Sequence, residues 1–357
     1  QQGGTGPLRF HGSESMTITT YFDGHNDLLM QLWLQHPENP EHYFFRAGCD
    51  GHLDFSRIRQ GRLGAAFFAI FVPPESYVAR HFPQRLGALR DHVSVMREQL
   101  AILGRLEQFS DGKAKICRTA AEVRYCLENG VLAMIAHIEG ADALDTEGVL
   151  LNEFYQGGVR SVGPFWNNPN RFGEGITGSF PGSPDSGPGL TDKGIDFIRQ
   201  LGTLNLIIDV SHMNQQAFFD TARYSHQPLV ATHSNAHALC PQPRNLTDEQ
   251  LRILAESGGV AGINFGNAFL RPDGQRNDDT PTELITRHIR YMINHAGEDH
   301  VALGSDFDGA SVPAALKDVT GLPAIEESLH QAGLSGAVID KVCRHNWLRI
   351  VEHFMTA

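Results

Sequence analysis

Eight short apolar segments recur along the chain, and an amphipathic segment follows each of them. The segments are almost continuously apolar, as expected of parallel strands that are covered on both faces. They occupy residues 18–23, 64–72, 132–138, 159–165, 204–210, 228–233, 259–264 and 301–306. This alternation is typical of βαβ units. Eight such units in one chain predict an α/β protein built as a (β/α)8 TIM-type barrel rather than an open doubly wound sheet.

Local signals support helices between these strands. Thr119 and Thr247 each stand three residues before a Glu or Gln, which is the capping-box pattern. Pro281 precedes an amphipathic run that ends near Gly297, a plausible helix stop. A long helix is also predicted over about residues 85–108, after the second strand. Helices therefore fill the connections that a parallel barrel requires.

Two segments, 28–63 and 166–190, are longer than ordinary connectors, and we expect them to be loops that cover or line a site. No GxGxxG follows the first strand, and no GxxxxGK[ST] occurs in the chain, so nucleotide-binding α/β folds lose support. In a (β/α)8 barrel the chemistry lies at the carboxyl ends of the strands. Polar residues at those ends are therefore the candidates for a functional site.

Composition narrows the function classes. The 357 residues are 41% hydrophobic and 20% charged, as in ordinary soluble globular proteins. A formal net charge of −12 argues against nucleic acid or an anionic membrane as a partner. The five cysteines form no CxxC pair, so buried free thiols are expected. The longest apolar stretch, residues 63–72, is shorter than the roughly 20 residues of a spanning helix.

The two ends of the chain carry their own expectations. Residues 1–15 lack periodicity and precede Met16, so we interpret them as a leader that is disordered or derived from a vector. Residues 16–357 are then expected to form a single catalytic barrel domain. We recognise no signal peptide, transmembrane segment or lipid-anchor pattern, and a cytoplasmic location is therefore expected. The sequence leaves a homodimer open.

Metal-type side chains stand at the ends of five predicted strands. They are His25 and Asp27 on the first strand, Glu139 on the third, His212 on the fifth, His233 on the sixth and Asp306 on the eighth. Imidazoles and carboxylates bind divalent cations. Taken alone, the segment FDGHNDLL also fits an Asx turn in which Asp27 caps the next helix. One catalytic zinc uses three protein ligands, so six side chains predict two metals, with Glu139 as the shared carboxylate.

With these residues in place, the chain resembles the membrane (renal) dipeptidase family, peptidase family M19. The resemblance runs from about residue 18 to the C-terminus. It rests on DGHND at 23–27, IEG at 138–140, IDVSH at 208–212, THS at 232–234, CPQPRN at 240–245 and GSDFDG at 304–309. It implies a two-zinc barrel of the metal-dependent hydrolase kind that hydrolyses dipeptides, both L,L and L,D, with a free C-terminal carboxylate.

The resemblance also implies residue roles. The implied zinc ligands are His25 and Asp27 for one ion, His212 and His233 for the other, and Glu139 as the bridge. A hydroxide bridging the metals would attack the amide. Asp306 would contact the metal site and pass the proton to the leaving amine. Asp306 and Glu139 are thus the two residues expected to be catalytic. Arg244 would hold the substrate carboxylate with its guanidinium fork, the alternative being a solvated loop arginine.

The chain departs from the family pattern in the pocket. On the fourth strand, renal-type enzymes carry a histidine that polarises the scissile carbonyl, and this chain has Trp166 there. An indole donates one hydrogen bond and carries no charge, so Trp166 is expected to be a substrate-binding residue. The pocket tyrosines of renal-type enzymes are replaced by Val72 and Gly266. The candidates for the missing carbonyl-polarising group are Asn167, Asn168 and Arg171.

Two rival functions remain open. A related binuclear amidohydrolase that acts on N-acyl amino acids would also use Arg244, because its substrate has a free carboxylate. A catalytically impaired metal-binding member is favoured only by Trp166, and the retained Asp306 argues against it. His137, two residues before Glu139, is either a group that tunes the bridging carboxylate or an ordinary hydrogen-bonded core histidine.

Overall fold

The computed structural model describes residues 20–356, so the predicted leader and the start of the first predicted strand lie outside the described residues. Eight parallel strands, numbered in chain order, form the centre of the molecule. They are β1 (Tyr21–Asn26), β2 (Leu63–Ile70), β3 (Leu132–Glu139), β4 (Val159–Gly163), β5 (Ile207–Ile208), β6 (Val230–Ala231), β7 (Val260–Ile263) and β8 (Val301–Leu303). Each of them falls within, or overlaps, one of the eight predicted segments.

The strands close on themselves. Pairing runs in the order β5-β4-β3-β2-β1-β8-β7-β6. Asp209, directly after β5, forms a parallel bridge with Val230 of β6, and the Val210 amide donates to the Val230 carbonyl at 2.7 Å. This bridge joins the two end strands, so the eight strands form a nearly closed barrel. The predicted (β/α)8 TIM-type fold is confirmed.

The strands β5 and β6 are much shorter than predicted, and a side chain accounts for where they end. The Asp209 carboxylate accepts hydrogen bonds from the main-chain amides of Ser211, at 3.0 Å, and Thr232, at 2.9 Å. Those amides are therefore bonded to a side chain instead of to a neighbouring strand, and β5 and β6 end early. Outside the barrel, a short strand that the sequence did not predict, Ala114–Ile116, pairs with β3 in parallel.

Helices surround the barrel. Those of seven or more residues are Leu28–Gln35, Phe55–Gly61, Glu75–His81, His92–Gln108, Ala120–Asn129, Val149–Gln156, Asp192–Thr203, Gln215–Tyr224, Asp248–Glu256, Glu283–Ala296, Leu322–Gln331 and Asn346–Phe354. Shorter α-helical turns are Pro40–His42, Asn267–Leu270 and Gly336–Asp340. The 3-10 turns are Pro83–Arg90 and Val319–Gly321, and the π-helical turns are Tyr43–Ala47 and Lys341–His345. Within residues 20–356, no helix combines the length and the apolar character needed to cross a membrane.

The helix predictions are confirmed in part. The Thr247 capping box is complete, whereas Thr119 caps the Glu122 amide without the reciprocal bond. The predicted helix over 85–108 is wrong in its first turns, because Asp91 caps the Val93 amide and starts the helix there. The segment 28–63 is mostly helical rather than a loop.

In the segment 166–190, the prediction of a long loop is nearer to the structure. It contains a small hairpin of Pro169–Asn170 and Gly173–Glu174, and the rest has no regular structure.

The amino end of the barrel is filled by apolar side chains. The last helix, Asn346–Phe354, packs there, and the fully buried Trp347 donates its indole N–H to the Leu303 carbonyl at 2.7 Å. A side chain at Gly24 would collide with Trp347 and with the Thr232 carbonyl, so the close approach requires glycine. Because this end is closed and apolar, polar side chains concentrate at the carboxyl ends of the strands.

Candidate active site

All six predicted metal-type residues meet at the carboxyl ends of the strands. Their exposed fractions lie between 0 and 7%. Their donor atoms form three overlapping groups, each within 4.8 Å: His25–Asp27–Glu139, Glu139–His212–His233 and His25–His233–Asp306. Residues almost 300 positions apart in the sequence thus share one small volume, as the strand-end argument predicted.

Glu139, the last residue of β3, lies at the centre of this cluster. Its Oε2 atom is 3.5 Å from His25 Nε2, 3.3 Å from His212 Nε2 and 3.2 Å from His233 Nε2. On the other side, His25 Nε2 is 3.1 Å from Asp27 Oδ2. The Glu139 carboxylate therefore lies between two pairs of donors, which is the position that a bridging ligand needs.

The alternative in which Asp27 forms an Asx turn and caps the next helix is wrong. Asp27 precedes the helix Leu28–Gln35 but makes no side-chain cap bond. Instead, Asn26 Oδ1 accepts from the Leu28 amide at 3.1 Å. Because β1 continues to Asn26, His25 lies within the strand and Asp27 directly after it. The neighbouring asparagine thus leaves the Asp27 carboxylate free to face the cluster.

These residues fit divalent metal ions. Asp27 Oδ1 and Glu139 Oε2 are buried without a hydrogen-bond partner among residues 20–356, which is costly for carboxylate oxygens. Nitrogen and oxygen donors at this spacing suit zinc-type ions. Gly309 lies against the same donors, and a Cβ there would overlap both Asp27 Oδ2 and Asp306 Oδ1. The donor set is therefore packed as closely as the backbone permits.

Electrostatics point to the same conclusion. Burial raises the pKa of Glu139 well above its ordinary value, and Asp27 and Asp306 add to this against the opposing effect of His25. Burial also raises the pKa of Asp306 to about 7. The cluster thus carries more negative charge than it can stabilise alone, and a divalent cation would neutralise it.

The imidazoles divide into two kinds. Burial lowers the pKa of His212 and of His233 well below the ordinary value, so both rings are neutral and suited to binding a metal. Burial also opposes protonation of His25, but Glu139, Asp27 and Asp306 outweigh it and raise the pKa of His25 well above its usual range. His25 therefore lies where the negative charge is concentrated.

The backbone is unusual at two of the candidate ligands. His212 has φ 69° and Asp306 has φ 62°, in the left-handed region that non-glycine residues rarely adopt. The Asp306 amide donates to the His25 carbonyl at 3.1 Å, and Asn264 Nδ2 donates to Asp306 Oδ2 at 3.0 Å. These bonds hold Asp306 in a conformation that costs free energy, as is common at functional sites.

Arg244 lies beside the cluster and is buried, with 7% of its surface exposed, so it is not a solvated loop arginine. Its Nη1 donates to Ser234 Oγ at 3.1 Å and its Nη2 to the His233 carbonyl at 2.8 Å. Its guanidinium also lies over the Phe269 ring at 5.6 Å. Two of the five N–H groups are thus used for positioning and the Nε–H is buried, so one N–H on each Nη atom remains for a ligand.

Beside the cluster is a cavity of about 830 Å³, within the size range of small-molecule sites. All of the cluster except His25 lines it, together with Arg244 and with Trp166, whose ring lies 5.3 Å from Phe71 and 6.3 Å from His212. Of the two positions expected to replace pocket tyrosines, Gly266 lines the cavity and Val72 does not. Trp166 and Phe71 form an apolar wall close to the candidate metal ligands.

Only one of the three candidate carbonyl-polarising residues reaches the cavity. Asn168 donates to Asp142 Oδ2 at 2.7 Å, and Arg171 approaches the Asp142 carbonyl at 3.5 Å, so both face away from the cluster. Asn167 lines the cavity, and its Oδ1 lies 2.6 Å from His212 Nδ1. This contact leaves the Asn167 Nδ2 group as a donor at the cavity wall.

Several residues that bond to or pack against the candidate metal ligands were not predicted from the sequence. Asn264, which bonds Asp306, ends the seventh predicted strand, so the strand-end argument could have found it. Gly309 lies in the quoted GSDFDG motif, but only its packing shows why it matters. His137 bonds Ser161 Oγ at 2.8 Å, which is the core-histidine alternative rather than a contact with Glu139.

Comparison with known proteins agrees with this geometry. The family model described as membrane dipeptidase (peptidase family M19) matches residues 13–357. The chain is 59% identical over 263 residues to "Uncharacterized protein in pqqA 5'region" of Klebsiella pneumoniae, covering 74% of this chain and 97% of that one.

Two solved structures share the fold over nearly the whole chain. A metallo peptidase from Rhodobacter sphaeroides, liganded with a phosphinate mimic of the dipeptide L-Ala-D-Ala, is 41% identical with a TM-score of 0.89, covering 94% of this chain and 99% of that one. The dipeptidase AC, a metallo peptidase of family M19, is 40% identical with a TM-score of 0.88, covering 95% and 100%.

The packing at Gly309 makes a prediction about cation binding. Gly309→Ala should weaken Zn²⁺ binding by at least about tenfold, because the added methyl group displaces Asp27 and Asp306, and disturbed ligand support commonly costs about 10- to 100-fold. The measurement is a Zn²⁺ titration in competition with a chromophoric chelator.

Gly104→Ala is the matched control, since a Cβ there meets nothing within 4 Å. Gly309 does not have a positive φ, so the substitution tests overlap with the ligands rather than backbone strain. Equal Zn²⁺ affinity in the two variants would contradict the prediction.

Proposed function

The chain belongs to the membrane dipeptidase family, peptidase family M19, and we propose that it hydrolyses the peptide bond of free dipeptides, L,L and L,D, with two bound zinc ions. The observation that carries this proposal is the position of Glu139 between two pairs of metal-type donors, in a cavity that also contains the buried Arg244. A dipeptide offers both an amide to cleave and a carboxylate for the arginine.

In this proposal the two metal positions share Glu139. His25 and Asp27 hold one ion, and His212 and His233 hold the other, with Glu139 as a ligand of both. When bound, zinc supplies an activated water at neutral pH and polarises a carbonyl oxygen. The remaining work of binding, orientation and proton transfer falls to the protein side chains.

Arg244 binds the substrate carboxylate. Ser234 and the His233 carbonyl fix its guanidinium, so little conformational freedom is lost when a carboxylate arrives. Its attachment to the main chain of His233 keeps the clamp at a constant distance from the metal cluster. In this proposal, the fixed distance between Arg244 and the metal cluster matches the short distance between the carboxylate and the scissile amide of a dipeptide.

Asp306 carries the proton to the leaving amine. Its Oδ2 is held by Asn264, while its Oδ1 faces the cluster, 3.8 Å from His25 Nε2. Burial raises the pKa of Asp306, which favours a carboxyl group that takes up a proton before passing it on. Its location three residues after β8, across the cluster from the shared Glu139, suits transfer across the cleaved bond.

Asn167 orients the scissile carbonyl. Because His212 presents Nε2 to Glu139, its Nδ1 carries the proton and donates to Asn167 Oδ1. The amide of Asn167 is thereby fixed, and its Nδ2 group is the neutral donor that we assign to the substrate carbonyl. Trp166 and Phe71, next to it, select the substrate side chain through apolar contact.

Support for a D-residue at the C-terminal position comes from a relative. The Rhodobacter sphaeroides metallo peptidase was crystallised with a mimic of L-Ala-D-Ala. The alternative substrate, an N-acyl amino acid, would satisfy Arg244 equally well. Parallel assays with L,L-dipeptides, L,D-dipeptides and N-acetyl amino acids distinguish these substrates, and turnover of none of them would favour an impaired metal-binding protein.

Zinc stoichiometry tests the two-metal proposal. Protein saturated with zinc and then desalted should retain two ions per chain by elemental analysis. Glu139→Gln should weaken both positions together, because the shared carboxylate serves both, whereas His212→Ala should empty mainly one. A wild-type content that stays at one ion or fewer would refute the proposal.

A matched pair of substrates tests the carboxylate clamp. Arg244→Ala or Arg244→Lys should lower kcat/KM for a free dipeptide by about 10- to 150-fold, since a charged bidentate pair contributes roughly 1.5–3 kcal/mol and about 1.36 kcal/mol is tenfold. The same variants should lose little on the C-terminally amidated dipeptide, which has no carboxylate. Equal losses on both substrates, at unchanged zinc content, would favour the wider amidohydrolase assignment.

The assignment of Asn167 can be tested by separating its two hydrogen-bonding groups. Asn167→Asp keeps an acceptor for His212 Nδ1 but removes the Nδ2 donor, so kcat should fall by about 10²- to 10³-fold, as when one oxyanion donor is removed. Zinc content should be retained. Unchanged kcat in a zinc-replete Asn167→Asp variant would show that another group polarises the carbonyl.

A further inference from the structure

Asp209 is a buried carboxylate that the proposed reaction does not use. It follows β5 and is 1% exposed. Its Oδ1 accepts from the amides of Ser211 and Thr232, and its Oδ2 accepts from the Thr232 hydroxyl at 2.7 Å. Neither Asp209 nor Thr232 lines the cavity. Any contribution of these residues to the reaction must therefore pass through a neighbouring residue.

That neighbour is His233. Thr232 Oγ1 lies 2.8 Å from His233 Nδ1. A carboxylate can only accept hydrogen bonds, so the single hydroxyl proton of Thr232 is used on Asp209. The hydroxyl oxygen is then left to accept from His233 Nδ1, which must carry the ring proton. Three consecutive groups thus have a single consistent direction of donation, from His233 through Thr232 to Asp209.

The direction of donation determines which nitrogen of His233 can bind a metal. With the proton on Nδ1, the lone pair is on Nε2, which faces Glu139 Oε2 at 3.2 Å. A metal ligand needs that lone pair, and a hydrogen bond at the other ring nitrogen commonly sets it. The opposite tautomer would place a proton where the ion has to be.

The other two imidazoles of the cluster are not held by a fully buried relay. His212 Nδ1 contacts Asn167, a side chain on the open cavity wall, and His25 Nδ1 has no hydrogen-bond partner in the described part of the chain. Asp209 also holds the amide of Ser211, whose hydroxyl accepts from the His233 amide at 3.2 Å. Its bonds therefore converge on the His212–His233 side and do not reach Asp27.

We propose that Asp209 and Thr232 are positioning residues for one of the two metal positions: through the Thr232 hydroxyl, Asp209 fixes His233 in the tautomer whose Nε2 can bind the ion. This inference rests on the proposed two-zinc site. It predicts unequal behaviour of the two positions, because the His25 ring only stacks on that of His233, and neither Asp209 nor Thr232 forms a hydrogen bond with His25 or Asp27 among the described residues.

Asp209→Asn is the sharpest test because it preserves shape and reverses polarity. The amides of Ser211 and Thr232 require the Asn carbonyl, so the NH₂ group falls opposite Thr232 Oγ1 and donates to it. The Thr232 proton then points at His233 Nδ1 and forces the proton of His233 onto Nε2. Zn²⁺ affinity at the His212–His233 position should drop by about 10- to 100-fold, as when support of a ligand is lost. Affinity at the His25–Asp27 position should stay the same.

Thr232 provides a second, independent pair of variants. Thr232→Val removes the hydroxyl at nearly constant volume and should weaken the same single position. Thr232→Ser keeps the hydroxyl and should restore affinity. Thr286→Val is the control, since it removes a buried threonine hydroxyl that pairs with Ser328 Oγ at 2.6 Å on the helix Glu283–Ala296, outside the relay, and it should bind zinc as the wild type does.

The experiment is a two-step Zn²⁺ titration of the full chain with a competing chelator, together with ring-nitrogen NMR of ¹⁵N-histidine-labelled protein to identify the His233 tautomer. Selective loss of one binding step in Asp209→Asn and Thr232→Val, with rescue in Thr232→Ser, supports the relay. If the wild type binds fewer than two ions, the proposed function fails. If the wild type binds two and Thr232→Val binds both with unchanged affinity, the relay is overturned, even if Asp209→Asn does not fold.

Discussion

The structure depends on burying three carboxylates, those of Asp27, Glu139 and Asp306, within one cluster of donors. Removing like charges from water is unfavourable unless cations or hydrogen bonds compensate. The raised pKa values of Glu139 and Asp306 register this cost directly. The barrel tolerates the cluster because its other end is closed by apolar packing around Trp347, which stabilises the fold without polar groups. The apolar packing that stabilises the fold thus lies at the amino ends of the eight strands, and the cluster of polar donors lies at their carboxyl ends.

The central architecture could be predicted from the sequence because buried parallel strands have a simple signature, a short run of apolar residues. The errors arose where a single side chain overrode that signature. Asp209 bonds two main-chain amides and shortens β5 and β6, and Asp91 starts a helix that periodicity placed earlier. The segment 28–63 was expected to be a loop, yet its helices pack aromatic residues such as Trp33 and Phe44 against the barrel. Tertiary packing of this kind has no local pattern to reveal it.

The candidate metal ligands were predictable for a related reason. In a barrel, position along the strand decides which residues meet, so polar residues at strand ends could be collected without any structure. Residues that act through a neighbour have no such signature. Thr232 and Asp209 belong to quoted motifs, but only the hydrogen bonds show that they point at His233. Gly309 matters for the volume that it leaves empty, and an empty volume cannot be recognised from residue type.

The residues that hold the candidate metal ligands are more deeply buried than the residues on the cavity wall. Because of this difference, substitutions that affect substrate preference need not affect metal binding. His233 is held by Thr232 and Asp209, which are fully enclosed, so changes at the cavity surface do not reach them. The residues to which we assign substrate contacts, Trp166 and Asn167, lie on the open cavity wall. A substitution on that wall alters which side chains fit, or how a carbonyl is oriented, while the relay still presents His233 Nε2. Asn167 and Arg244 belong to both groups, because Asn167 Oδ1 bonds His212 and Arg244 donates to the His233 carbonyl. Substrate preference can therefore change independently of the metal centre at Trp166 and Phe71, but not at Asn167 or Arg244.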